Sequence, residues 1–216
     1  MNGPGRAGLF DVERQIEQGM QVLGLAPRPA MLRQFAEFVA LLAKWNRTYN
    51  LTAIRDTHNI VSTHLLDCLA AAPFLQGDLG TDVGSGGGFP GIPLAIALPE
   101  RRITLVDSSQ KKTAFLRQAV AELKLTNVQV VCARAESWNP DSGYDWVVSR
   151  AFADLSLFAA SAMHLALPSG VLAAMKGAYP EKEIAALPPQ YRVRQVVRLQ
   201  VPGLDAERHL VLMERR

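Results

Sequence analysis

The chain has 216 residues, 49% hydrophobic and 20% charged, with a formal net charge of +3. That length and balance fit one soluble globular domain, or one domain with an extension, long enough to bury a core. Cys68 and Cys132 are too few for a disulfide framework, and no apolar run reaches the ~18–20 residues of a membrane span. The longest candidate, Leu155 to Met175, is broken by His164, Pro168 and Gly170. No apolar stretch of signal-peptide length follows the first residues, so a cytoplasmic protein with no membrane partner is expected.

Residues 1–9 are glycine-rich and predicted to lack structure. From about Phe10 to Leu23, Val12, Ile16, Met20 and Leu23 recur at helical spacing. A second helix is predicted from about Ala30 to Trp45, burying Met31, Phe35, Phe38, Val39, Leu41 and Leu42 and ending in the polar turn Trp45 to Thr52. A third starts near Asp56 or Thr57, a good N-cap position, and runs to about Phe74. These helices form an extension over residues 10–76, packed against a second region, 77–216.

In that second region strands alternate with helices: strand 79–83, helix 91–98, strand 102–107, helix 109–124, strands 127–132 and 144–149, helix 154–166, strand 170–175 and a short helix near 180–187. Alternation at this spacing argues an α/β fold with a parallel, doubly wound sheet. Tyr191 to Val201 and His209 to Met213 are then joined by Pro202-Gly203-Leu204-Asp205, a turn with no room for a crossover helix, so the sheet should finish in an antiparallel hairpin. No repeat or low-complexity tract appears. The whole +3 excess lies in residues 190–216, with six arginines against Asp205, Glu207 and Glu214. A basic edge of this kind suits phosphate contacts and equally suits a solvated outer strand.

The stretch Thr81 to Gly91 (TDVGSGGGFPG) organises the region. A strand that turns through glycines into a helix lets backbone N–H groups approach a ligand with no Cβ in the way. Asp107, at the end of the next strand, lies roughly 20 residues on, where an acid can take a ribose. Two glycine registers fit, Gly84-x-Gly86 and Gly86-x-Gly88-x-x-Gly91. The second would permit a nicotinamide-dependent oxidoreductase. Asp82, two residues before Gly84, gives Asp-x-Gly-x-Gly, which resembles the first motif of S-adenosylmethionine-dependent methyltransferases. A loop acid suits a sulfonium and ammonium ligand and would repel a phosphate. A catalytically idle binding module on the same fold is the third reading, weakened by the charged residues Asp107 and Arg150 at ligand-facing strand ends.

The residues then point to one family. Trp45-Asn46-x-x-Tyr49-Asn50-Leu51-Thr52, His64-x-x-Asp67, the loop from Asp82 to Gly91, Asp107-Ser108-x-x-Lys111-Lys112, Arg134-Ala135-Glu136, Ser149-Arg150-Ala151, Lys176-Gly177 and Glu207-Arg208-His209 occur in order across most of the chain. In these the chain resembles the bacterial 16S ribosomal RNA small-subunit methyltransferases of the RsmG (GidB) family. It departs at Cys68, where the family usually has serine. The resemblance implies a class I methyltransferase fold, a seven-stranded Rossmann-like sheet with a C-terminal hairpin behind an N-terminal helical extension. It also implies S-adenosyl-L-methionine as cofactor and methyl transfer to N7 of guanine 527. The partner is 16S rRNA, free or within the small subunit or its precursor; nothing argues for a dimer, so a monomer is expected.

Carried onto this sequence, the resemblance gives Asp82, Gly84, Gly86, Phe89, Asp107, Ala135, Glu136 and Arg150 as cofactor-binding residues. Arg134, Arg150, Lys176 and Arg208 are the catalytic-site cations. Arg150 is expected to pair with the cofactor carboxylate or an RNA phosphate, the other three to touch phosphates or to form surface salt bridges. Glu136 is alternatively a solvated acid, and Phe89 alternatively plain core. His64 and Asp67, one helical turn apart, read as a polar network docking the extension on the cleft mouth; the histidines show no metal-ligand spacing. Trp45 and Tyr49 are buried anchors or base-stacking rings. Cys68 and Cys132 read as core, so the pyrimidine chemistry that needs a cysteine nucleophile is disfavoured. Guanine N7 carries a free lone pair and needs no base, only in-line placement.

Overall fold

A computed structural model describes residues 6–49, 51, 56–150 and 152–216. Helix α1 spans Arg6–Val22 and α2 Pro29–Tyr49. The chain is therefore helical four residues before Phe10, and α2 runs four residues past Trp45, through what the sequence marks as a polar turn. Of residues 1–9, expected to lack structure, 1–5 lie outside the described residues, as do Asn50 and the side chain of Tyr49. The predicted third helix is composite. It comprises α3 (Thr57–Ile60), a π-helical stretch Val61–Leu66, α4 (Asp67–Ala71) and a 3-10 turn Ala72–Phe74.

Then follow β1 (Leu79–Val83), α5 (Gly91–Ala97), β2 (Arg102–Asp107), α6 (Gln110–Glu122), β3 (Val128–Cys132), β4 (Tyr144–Ser149), α7 (Leu155–Ala162), β5 (Ala166–Lys176), α8 (Glu181–Ala185), β6 (Tyr191–Arg198) and β7 (His209–Arg215). Strand β5 begins four residues earlier than expected and carries Pro168. The register against β4 jumps from Tyr144↔Ala166 to Trp146↔Val171, so the proline sits in an irregular bulge where its missing N–H breaks no ladder bond.

The seven strands lie in the order β3-β2-β1-β4-β5-β7-β6, with β7 antiparallel to both of its neighbours and the other pairings parallel. This is the doubly wound α/β sheet anticipated from the alternation, finished by the antiparallel hairpin. The edge strand β6 carries an extra residue against β7, Val193↔Met213 being followed by Gln195↔Leu212. After β3 the chain returns to the other side of β1, so the order reverses between β1 and β4, where ligands of open α/β sheets bind.

Period-two alternation divides the core between the two faces of the sheet. Trp146, Val148, Val171, Ala173, Met175, Leu210 and Leu212 join one cluster with α1, α2, the composite helix, α5 and α6. Val147, Leu172, Ala174, Val211 and Met213 join the other with α7. The extension thus shares a continuous core with the sheet. Trp146 is the largest fully buried side chain, and its ring lies over Gly80 of the neighbouring strand; a Cβ there would stand 2.0 Å from Cζ2. Gly80→Ala should therefore destabilise the fold by about 1–3 kcal/mol, the cost of overpacking a rigid site, read as a lower urea midpoint with an unchanged slope.

Candidate active site

The loop after β1 is shaped by where its backbone donors go. Gly84 and Ser85 donate to the Val106 carbonyl at 2.8 and 3.1 Å, and Gly88 and Phe89 donate to the Ser85 carbonyl at 2.7 and 3.2 Å. The Gly86 N–H donates to the Asp107 carboxylate at 3.0 Å. Gly84, Gly86 and Gly88 have φ of 76°, 55° and 89°, a region that disfavours any Cβ. These five N–H groups are spent inside the protein and are not free to cradle a pyrophosphate. The loop therefore differs from the phosphate cradle its glycines suggest, which removes the main physical ground for a nicotinamide ligand.

Asp82 is fully buried and turns away from the groove. Its Oδ2 accepts the Gly91 N–H at 2.9 Å, fastening the first residue of α5, and Oδ1 has no hydrogen-bond partner among the described residues. Burial pushes the Asp82 carboxyl up to about 7, partly offset by the Gly91 bond. Asp82 was expected at the ligand; its place is beneath the loop instead.

Two neighbouring cavities share Gly84. One, of about 250 Å³, is lined by Val83, Gly84, Val106, Asp107, Ser108, Lys112, Ala133, Arg134, Ala135, Glu136 and Phe152. The Asp107 carboxylate takes the Gly86 N–H on Oδ2 and the Ser109 N–H on Oδ1 at 2.9 Å, with Lys112 Nζ at 3.8 Å. So Asp107 ties the glycine loop to the start of α6 while facing the cavity; the N-cap itself is Ser109. Ala135 is buried in a 3-10 turn, whereas Glu136 is exposed and pairs with Arg134 at 3.6 Å. Phe152, stacked on Phe158 at 5.0 Å, forms a wall that no periodicity marks, since it lies in the irregular segment after β4.

The second cavity, about 190 Å³, is lined by Leu51, Gly84, Ser85, Gly86, Gly87, Phe89 and Arg150. Phe89 is both core and lining: it packs on Phe38 at 5.2 Å and lies under the Arg150 guanidinium, 5.1 Å from the ring centroid. Arg150 Nη1 donates to His64 Nδ1 at 3.0 Å and lies 3.8 Å from Asp67 Oδ2. Arg208 approaches the same carboxylate from the other side, Nε to Oδ1 at 3.4 Å, while its Nη1 donates to the Glu207 carbonyl at 2.8 Å. Burial and the Arg150 charge lower His64 to about 4, so near neutrality the ring is uncharged and free to accept. Burial pushes the Asp67 carboxyl up, and the two guanidiniums only partly offset it. The expected network of His64 and Asp67 is thus present, and the two arginines complete it.

Other expected residues fall elsewhere. Lys176 is bound by Glu183 at 2.7 Å and by the Ala153 carbonyl at 2.8 Å, and Glu183 also accepts the Leu155 N–H. It holds the segment behind Phe152 and is no open phosphate contact. Trp45 packs on Phe115 at 5.4 Å, as an anchor does. Cys68 is buried, but Cys132 is exposed, because β3 is an edge strand and not the buried one expected. Among the described residues no group of three His, Cys, Asp or Glu could hold a metal, and no helix is long and apolar enough to cross a membrane.

Comparison with known proteins agrees with this geometry. The family model for GidB, rRNA small subunit methyltransferase G, matches residues 31–211. The chain is 50% identical over 202 residues to the Ribosomal RNA small subunit methyltransferase G of Laribacter hongkongensis, covering 94% of this chain and 98% of that protein. It is 51% identical over 202 residues to the protein of the same name from Chromobacterium violaceum, covering 92% and 96%. A SAM dependent methyltransferase from Aquifex aeolicus shares the fold, with a TM-score of 0.56 at 16% identity over 72% of this chain and 92% of that one.

Asp82 yields a pH test. Its carboxyl is raised from 3.8 to about 7, so between those values the folded state binds a proton that the unfolded state does not, and stability falls as pH rises. Asp82→Asn removes that slope. The variant should gain on the native chain by up to about 1.4 kcal/mol per pH unit from about pH 4 to about pH 7. His64 contributes equally to both proteins and cancels. Melting curves that stay parallel across this range would refute the assignment.

Proposed function

The chain belongs to the rRNA small subunit methyltransferase G (GidB) family, and on that premise we propose that it methylates N7 of guanine 527 in 16S rRNA. The observation that carries this reading is the pair of cavities meeting at Gly84, at the switch point of the sheet. An elongated ligand can run through both, with a ribose beside Asp107, a base beside Ala135 and the amino-acid end past Gly84 toward Arg150. S-adenosyl-L-methionine has that shape, bears no phosphate for the consumed loop donors to meet, and supplies an electrophilic methyl group when bound.

The protein's own part is placement. Asp107 accepts hydrogen bonds from the ribose hydroxyls on a carboxylate already fixed by two backbone N–H groups. The groups around the second cavity are committed elsewhere: His64 Nδ1 receives Arg150, and Asp67 is held between two guanidiniums. Neither stands ready to remove a proton. Guanine N7 requires no such step, because its lone pair attacks directly, and holding the reactants in line supplies roughly 7–11 kcal/mol of the barrier. Arg150 and Arg208 offer charge to an RNA phosphate or to the cofactor carboxylate. The substrate is 16S rRNA, free or in the small subunit or its precursor, and the acting unit is a monomer in the cytoplasm.

Methyl-labelled adenosylmethionine with 16S rRNA, free and within small subunits, tests the reaction. Label should enter the RNA, and reduction followed by aniline should cut it once, at guanine 527. Labelled RNA that resists cleavage would discard N7. Asp107→Asn should weaken adenosylmethionine by at least about tenfold in calorimetry, one charge-assisted hydrogen bond being worth roughly 1.5–3 kcal/mol. An unchanged affinity would place the ribose elsewhere.

A further inference from the structure

Asp67 is the first residue of α4, in the helical extension, and its side chain is 4% exposed. It nevertheless faces two guanidiniums brought from the sheet, Arg150 after the central strand β4 and Arg208 before β7. Neither contact is a tight one. At 3.8 and 3.4 Å both exceed the ~2.7–2.9 Å of a charge-assisted hydrogen bond. Each guanidinium gives its shorter bond to a neutral acceptor, the His64 ring or the Glu207 carbonyl. Both remain about a quarter exposed, 26% and 22%.

We infer that Asp67 is a placeholder anion, a positioning residue that holds Arg150 and Arg208 side by side at the mouth of the cleft until an RNA phosphate takes its place between them. Two cations spaced by one carboxylate leave a net single charge. That is enough to attract a phosphodiester, and too little to bind every RNA tightly. An incoming phosphodiester, not confined to a buried position as Asp67 is, can bring its two unesterified oxygens into the short forked bonds that Asp67 does not make. Neutral His64 adds no charge but fixes the direction of Arg150 through Nδ1, over the Phe89 ring. The π-helical stretch Val61–Leu66 immediately precedes Asp67 and carries His64, so the irregularity sets how both side chains meet the arginines. This inference rests on the proposed RNA substrate, but not on which guanine or which atom is methylated.

The test is the salt dependence of binding to an unrelated single-stranded RNA, without cofactor, by the full chain and its Asp67→Asn variant. Uncovering the second cation should tighten binding at low salt. It should steepen the log K against log salt slope by about 0.7, so that roughly 2.5-fold more affinity is lost between about 50 and 200 mM salt. The methylation kcat should fall at the same time, because the arginines lose their common anchor. A merely structural role would weaken binding and leave the slope alone. Asp67→Glu, which keeps the charge, should return the slope to the native value. Arg208→Gln, with Asp67 intact, should make it shallower by a similar amount and serves if Asp67→Asn melts too low to assay. An unchanged slope in Asp67→Asn, or in Arg208→Gln, overturns the inference. So does a change of more than about tenfold in adenosylmethionine affinity with no change in the RNA slope, which would make the displaced anion's partner the cofactor carboxylate. If these slopes move as expected but no methyl reaches the RNA, the reaction is wrong and the clamp stands.

Discussion

One hydrogen bond inside the protein decides what the groove can hold. Asp82 Oδ2 accepts the Gly91 N–H from a fully buried position, joining the end of β1 to the start of α5 across the glycine loop. A Cβ on Gly91 would stand 2.1 Å from Leu105 Cδ2 and 2.8 Å from that same oxygen, so the fastening point admits only glycine. With both ends of the loop fixed, the N–H groups of Gly84, Ser85, Gly86, Gly88 and Phe89 fold back onto Val106, Ser85 and Asp107. What is left for a ligand is shape, one carboxylate and the small surface of Gly84, not a ring of N–H groups. A nucleoside bearing a positive charge fits that offer, and a pyrophosphate does not.

The two ends of the groove are built by different means. At the end beside β2 a single side chain, Asp107, faces the cavity while it accepts the N–H groups that lock the neighbouring loops, so one group both lines the groove and stiffens it. At the other end the determinants arrive from three separate elements: the composite helix, the end of β4 and the approach to β7. That end exists only when the extension is docked. The shared core of α1, α2, α5 and the sheet is what keeps it so.

Much of this was legible in the sequence, and for physical reasons. The strand-loop-helix around Gly84, the acid ending β2 and the terminal hairpin are local patterns, and each formed within a few residues of its predicted bounds. The π-helical insertion at Val61–Leu66 left no mark, because an apolar run with one extra residue per turn still looks like an apolar run. The direction of Asp82 was also hidden: spacing places an acid in a loop but cannot say whether its carboxylate faces out or beneath. Lys176 matched the family as a cation, yet Glu183, on a short helix later in the chain, captures it. Cys132 was misjudged since strand composition does not tell an edge from a centre.

The irregular last strand has a consequence of its own. An outermost strand presents unpaired backbone groups on which another polypeptide could grow a sheet. In β6 the extra residue between Val193 and Gln195 breaks the straight run of those groups, and Arg192, Arg194 and Arg198 stand exposed along it. Two such strands brought together would meet as like charges on mismatched ladders. The basic C-terminal segment thus guards the sheet against fibrillar stacking, a role independent of RNA binding.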